Sequence, residues 1–525
     1  MISDPTRKYL QQVDSFSLEE SQVDAPKIHV DYVASKIATL YEKLRQVIDY
    51  QEEHLLRKNT IERVLKRRLL LSTDPEEISK PLIFELIRGG YFANDKIPET
   101  KIEEVKKLLG KYLFLIESLS ATSGKDGLIE WLKRLAATEI EEKLAPQRKE
   151  SSLLNYMVEE LLKRLAFPDI FIEDQRKKEL VFIACQKGLL KADQALLSWR
   201  LLKLKLPEFA NSPDFDFLAS FSQNLPFLKR EIDGEISHPL VKRIQAVVCR
   251  FVPGFLLIND IVCDDPKQTR ELFEKPDSLE PRLKFTYEKR YRQMKKQNRR
   301  WGGRWVISIL LSKMLLAFLI EVPYDRLTNN FSPLAAGVNL LVPPLLMFLI
   351  IASIRIPKEE NKRIVCDQTM KIVYPGERLE SILVKKPPEK KGWITFILKT
   401  IFLISTAAVF TGVIYLLSRI NFSWLSILIF LAFFSLIAFS GMKIEASTKQ
   451  LKASDREKEE DIVSFIADVF FLPFRNAGKW LSGQLQKYNL IILILNLFFE
   501  APLQVFFEFL ESWRGYLKAK KEELE

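Results

Sequence analysis

The sequence is short of the residues from which phosphate loops, metal centres and disulfide frameworks are built. Of 525 residues, 18 are glycine, 4 are cysteine and 3 are histidine. Scarce glycine leaves few turns in which backbone can close around a phosphate, and no glycine-rich nucleotide loop is present. His29, His54 and His238 lie far apart in sequence, which argues against a histidine metal centre. Cys185, Cys249, Cys263 and Cys366 show no CxxC or other ligand spacing, so reduced thiols are expected. HExxH, GxSxG and triad signatures are missing as well. No catalytic residue, cofactor or metal is therefore predicted, and a non-enzymatic role is expected. The opening stretch MISDPTRKYLQQVDSFSLEE lacks the apolar core of a signal peptide, so the first true span is expected to serve as the targeting signal.

What the chain does have is a basic run that passes directly into apolar sequence. Lys289, Arg290, Arg292, Lys295, Lys296, Arg299, Arg300 and Arg304 precede the segment WVISILLSKMLLAFLIEV, which ends at an expected turn, Pro323-Tyr324-Asp325. Trp305 to Val322 spans 18 residues. That is about 27 Å at 1.5 Å per residue, just enough for a hydrocarbon core of about 30 Å. Three further apolar segments follow, at 333–354, 393–417 and 422–442.

The loops between them test the threading. Nine Lys and Arg lie between Lys284 and Arg304, ten in 355–391 and five in 443–458, which makes 24. The intervening loops 323–332 and 418–421 carry only Arg326 and Arg419. Basic residues resist translocation, so the sequence predicts four spans in the cell membrane with both termini cytoplasmic. The net charge of +11 and pI of about 9.1 follow from that bias and from attraction to anionic lipid headgroups, rather than from nucleic-acid binding. The eight basic residues from Lys289 to Arg304 are the predicted headgroup contacts.

Ile244 to Cys263 is also apolar, but Arg250, Pro253, Gly254, Asn259 and Asp260 interrupt it. The clean run, Phe251 to Ile258, is short enough to be a core or interfacial helix. Upstream, 1–28 reads as a polar arm and 29–300 as a cytoplasmic helical domain, with a possible sub-boundary near 145–150. Val33, Ile37, Leu40, Leu44 and Val47 form one helical stripe that dies at Gln51, His54 and Lys58, where His54 is read as a structural histidine. Further helical patterns cover 76–88, 99–119, 128–144, 152–166 and 175–205, separated by turn signals such as Asp74-Pro75 and Gly89-Gly90. The segment with Trp199 among lysines and arginines is expected to be the covered face of a bundle, with lysine stems over it.

The fold expected is all-α: a soluble helical domain, a membrane domain (301–442, with cytoplasmic loop 355–392), and a C-terminal region (443–525) of amphipathic, interfacial or re-entrant helix with a charged tail. Ala477, Trp480, Leu481, Gln484, Leu485 and Tyr488 carry the interfacial stripe. The segment 488–507 is long enough to cross but holds Glu500 and Pro502, so an in-plane or re-entrant path is expected, followed by a stripe of Leu503, Phe506, Leu510, Trp513 and Leu517.

Polar residues inside the apolar segments are the sharpest functional clue. Lys313 lies mid-span, where a lysine costs about 2.5–3.5 kcal/mol on insertion scales. Lys399, Asn339 and the pair Pro343-Pro344 complete the candidate intramembrane site, and the prolines are expected to kink or break the second span. Glu321 lies eight residues beyond Lys313, about 12 Å along one helix and too far for direct pairing. Asn339 and proline-freed carbonyls are the expected neighbours of Lys313, and Lys313→Leu is expected to raise stability slightly. The function expected is a cytoplasmic helical domain held at the membrane to bind a protein partner. The alternative is a transporter or channel through the four spans, as a homo-oligomer because four helices make a thin pathway.

Overall fold

Apolar residues recurring every three to four positions, with almost no period-two alternation, fold as helix nearly throughout. The computed structural model describes residues 2–19, 26–30, 53–120, 126–211, 214–264, 266–328, 332–353, 359–375, 381–385, 392–448, 451–453, 462–488 and 513. Among these, strand is confined to two short pieces, and the chain is all-α.

The chain opens with α1 (Asp4–Glu19), α2 (Glu53–Arg68), α3 (Pro75–Arg88), α4 (Thr100–Ser120), α5 (Asp126–Leu144) and α6 (Arg148–Arg164). After β1 (Leu165–Ala166) come α7 (Asp174–Leu189), α8 (Gln194–Lys205) and the single turn α9 (Pro207–Ala210). Next are α10 (Phe215–Ser237), α11 (Pro239–Asp264), α12 (Pro266–Glu274) and the long α13 (Pro276–Leu316). A π-helical turn, Ala317–Glu321, joins α13 to α14 (Val322–Leu327). Then follow α15 (Pro333–Ser353), α16 (Glu359–Val373), β2 (Ile382–Leu383), α17 (Gly392–Arg419), α18 (Trp424–Thr448) and α19 (Ile462–Tyr488).

Local chemistry sets several boundaries. Asp74 caps α3 by accepting the Glu76 amide, Pro75 takes the first helical position, and Gly90 turns away with φ 74°. The pattern over 175–205, expected as one helix, is two. Lys191 takes φ 48° and the Asp193 carboxylate caps α8 by accepting from the Leu196 amide at 3.0 Å. Residues 1–28, expected as a polar arm, contain a packed helix instead. Thr6, Tyr9, Leu10 and Val13 share one face of α1 and are buried against α6 and α12, with Thr6 Oγ1 2.6 Å from the Tyr156 hydroxyl. The stripe from Val33 to Val47 and the His54 side chain lie outside the described residues.

The chain divides into two compact units. The first comprises Met1–Met294, Ile356–Glu389 and Thr448–Arg456. Its helices share one apolar core, in which α11 lies between α7 and α16. The approach to α16 is close at Gly254, where an added Cβ would come within 2.9 Å of Thr369 Oγ1. The segment expected as a basic loop, 355–392, thus supplies core helix to this unit. Its attachments are specific: Arg164 donates to the Lys371 carbonyl at 2.9 Å, the Ser3 amide donates to the Val373 carbonyl at 2.9 Å, and β2 pairs in parallel with β1. Asn361 donates to the Leu451 carbonyl at 2.6 Å and accepts from the Ala453 amide at 3.0 Å, which ties in the third stretch. Trp199 is buried and its indole N–H donates to Glu142. The four cysteines are thiols rather than disulfides, with Cys185 and Cys366 buried.

The second unit comprises Lys295–Arg355, Lys390–Ser447 and Glu457–Glu525. Its described helices are apolar on the outside as well as the inside: Trp393, Phe396, Leu398, Ile401 and Leu403 of α17 are exposed. Within it, Phe410, Phe430, Phe434, Phe471 and Phe474 pack from α17, α18 and α19. α19 meets α18 at Gly478, where a Cβ would run into the Ser435 carbonyl. The segments 488–507 and 503–517 lie outside the described residues apart from Tyr488, the last residue of α19, and the single helical residue Trp513.

Among the described residues, four helices are long and apolar enough to cross a membrane: Pro239–Asp264, Pro333–Ile350, Gly392–Arg419 and Trp424–Met442. The predicted first span, Trp305 to Val322, is not one uniform α-helix. It is the end of α13 followed by the π turn, and the expected turn at Pro323-Tyr324-Asp325 is helical, with the chain turning only at Thr328. Pro239–Asp264 meets the same length and composition criterion, yet half of its apolar window is buried within the first unit. Along α17 that share is 6% and along α18 it is also half, so what sets Pro239–Asp264 apart is its place in the core of the first unit. α15 is helical through Pro343 and Pro344, so the prolines do not break it.

Candidate functional site

The polar side chains of the second unit meet where α13, the π turn, α15 and α18 pack together. Lys313, near the end of α13, has no solvent exposure, and its ammonium lies 2.6 Å from Glu321 Oε1. Asn339 of α15 donates through Nδ2 to Glu321 Oε2 at 2.6 Å. Phe433 of α18 stacks its ring 5.2 Å from the ammonium, which adds a cation–π contact where water is excluded. One turn beyond Glu321, Asp325 Oδ2 accepts the Ser426 hydroxyl of α18 at 3.3 Å.

The direct Lys313–Glu321 pair corrects the expectation that the two are too far apart. In a pure α-helix eight residues would also leave Glu321 about 80° round the axis from Lys313, at 100° per residue. The π turn, with its i→i+5 bonds, accommodates more residues per turn. It takes back most of that offset and shortens the rise, so the two side chains reach along one face. A π turn is a common device at functional sites for this reason.

Asn339 sits beside the charge pair, and its bond goes to Glu321 rather than to Lys313, the neighbour expected from sequence. The orientation of its amide follows from charge. Rotating it would set Oδ1 against Glu321 Oε2, two acceptors in contact. Among the described residues Oδ1 is consequently left without a hydrogen-bond partner, and so is the buried Oδ1 of Asp325. Pro343 and Pro344 are buried in α15, and they remove the amides that the carbonyls of Asn339 and Leu340 would meet four residues on. Lys399 is exposed on α17 and takes no part in this cluster. Glu321, Asp325, Phe433 and Ser426 are the members the sequence reading left out of the site. For the two carboxylates the signal was visible: acidic residues at i and i+4 closing an apolar segment.

The basic run behaves as two groups. Lys289 pairs with Asp264 at 2.7 Å, Arg290 with Asp260 at 2.5 Å and Arg292 with Glu288 at 3.5 Å. Lys295, Lys296, Arg299 and Arg300 are exposed on α13, and the Arg304 side chain lies outside the described residues. At 100° per residue the four exposed cations fall within an arc of about 140°.

Among the described residues, no group of three or more histidine, cysteine, aspartate or glutamate side chains is placed to hold a metal ion. No family model, curated protein or solved structure matches the chain.

Proposed function

We propose that this is a multi-pass integral membrane protein that holds its helical unit at the cytoplasmic face of the cell membrane to bind a protein partner. The observation that carries this reading is the weave of the first unit. Its three stretches, ending at Met294, running from Ile356 to Glu389 and running from Thr448 to Arg456, alternate with apolar sequence. A single packed core cannot straddle a bilayer, so the three stretches share one side and each intervening stretch crosses an even number of times. Two crossings by Trp305–Val322 with α15, and two by α17 with α18, satisfy this. Pro239–Asp264, built into the core, stays on the same side as its neighbours. The 24-to-two distribution of Lys and Arg supports the cytoplasm as that side.

Partner binding draws its support from Leu70 and Leu71, adjacent apolar side chains that the first unit leaves in solvent. The four exposed cations of α13 suit anionic headgroups. Labelling with an impermeant thiol reagent in intact cells tests the threading. Single cysteines on a cysteine-free background should react at Thr328, and at Ser381 only after permeabilisation. Reaction at Ser381 in intact cells overturns the reading.

A second reading, a solute or ion path through the apolar unit, is favoured by the buried Lys313–Glu321–Asn339 cluster. Ionisable side chains in such a setting are costly and tend to mark pathways.

A further inference from the structure

The cluster around Glu321 holds more oxygen than its own donors use. Lys313 and the Asn339 amide occupy one lone pair on each Glu321 oxygen, and a carboxylate offers about four. Asn339 Oδ1 is buried with no partner among the described residues, on a residue 3% exposed, beside the carboxylate that fixes its amide. The main-chain carbonyl of the same residue loses its usual donor to Pro343. Asp325 Oδ1, one helical turn away, is likewise buried and has no partner among the described residues. Lys313, Glu321 and Asp325 together carry one positive and two negative formal charges, which leaves one negative charge uncompensated within the cluster.

From this surplus of oxygen and charge we infer that Glu321, Asn339 and Asp325 form a binding site for a monovalent alkali cation. The inference rests on the reading of the second unit as membrane-embedded. In an apolar medium an uncompensated charge is expensive, so a single added positive charge is favoured and a divalent ion, which would leave a net charge of opposite sign, is not. Hard oxygen donors suit alkali cations over softer metals. A proton would neutralise the charge but would engage only one of the unpartnered oxygens, whereas a cation engages several. Lys313 is then the fixed counter-ion that keeps Glu321 ionised and aimed. The hydroxyl of Ser426 holds the other oxygen of Asp325.

The test uses the full-length protein, reconstituted in lipid nanodiscs and freed of alkali salts by exchange into choline chloride. Titration with sodium chloride, and separately with potassium chloride, should raise the melting temperature saturably, as a ligand that binds only the folded state must. Asn339→Leu and Asp325→Asn should each weaken the apparent affinity by about tenfold or more, as loss of a ligating group does. Ser332→Ala, outside the cluster, should leave it unchanged. Three results overturn the site: no saturable alkali effect, an effect equal in Asn339→Leu and the parent, or stabilisation by lower pH alone. Because a variant can misfold, the alkali titration of the parent protein decides first. Protein that stays in the aqueous phase without detergent and does not float with lipid vesicles defeats the membrane reading instead. Sodium binding without flux in sealed liposomes removes only the pathway reading.

Discussion

The ammonium of Lys313 lies 2.6 Å from the carboxylate of Glu321, eight residues further along the same stretch of chain, and a π turn between them makes the contact possible. Each charge is buried only because the other is there. The pair is therefore weak evidence of stability and strong evidence that the two must be changed together.

That gives the first prediction. Glu321→Leu leaves a buried ammonium without its partner and should cost about 3–5 kcal/mol, as breaking one side of a buried pair does. Lys313→Leu should destabilise for the same reason, opposite to the small gain expected from sequence. The double variant Lys313→Met/Glu321→Leu should recover most of the loss, read as thermal unfolding in detergent. Additive losses in the double variant would show that the contact is not made.

The second concerns helix contact. A side chain at Gly478 would meet the Ser435 carbonyl, a backbone atom that cannot rotate away. Gly478→Leu should lower the melting temperature by more than Gly483→Leu, where nothing lies within 4 Å of the added carbon. Overpacking of this kind costs about 1–3 kcal/mol. Equal effects at the two glycines would remove α19 from contact with α18.

A third prediction follows from Glu142. Burial pushes its carboxyl up, but the hydrogen bonds from Lys203 and the Trp199 indole outweigh this and hold it below the usual carboxylate range. With the folded value depressed, the stabilisation is present above the unfolded value of about 4.3. It is lost as pH falls through the folded value. Acid unfolding of the parent should thus be steeper below about pH 4.3 than that of Glu142→Gln, with Trp199 fluorescence changing over the same interval in the parent alone. Superimposable acid limbs would mean that Glu142 titrates unaided.

The fourth tests the basic face of α13. Each of Lys295, Lys296, Arg299 and Arg300 should add about 1 kcal/mol of attraction to an anionic surface, screened by salt. Replacing all four with glutamine should reduce the phosphatidylserine retained by the full-length protein through purification, and raised salt should reduce it in the parent. Unchanged retention would restrict the run to setting orientation.

Helicity, the positions of the apolar segments and the asymmetry of charge between loops were all legible in the amino-acid order. Each is a property of a window of neighbouring residues, and the period of side chains along a helix is local. Polar residues at Lys313 and Asn339 stood out because apolar sequence surrounded them. What the order of residues did not yield is which distant parts meet. The 355–392 segment read as a solvated basic loop because Lys and Arg dominate its count, yet Val365, Cys366, Thr369, Ile372 and Val373 present one buried face to the core of the first unit. Asn361 bonds to Leu451, 90 positions away, and no local pattern encodes that partner. Glu321 fell outside the expected site because its distance from Lys313 was reckoned on a uniform α-helix. The turn that realigns them has no signature in the side-chain period, and it forms where packing against α15 and α18 rewards burying a charge with its partner.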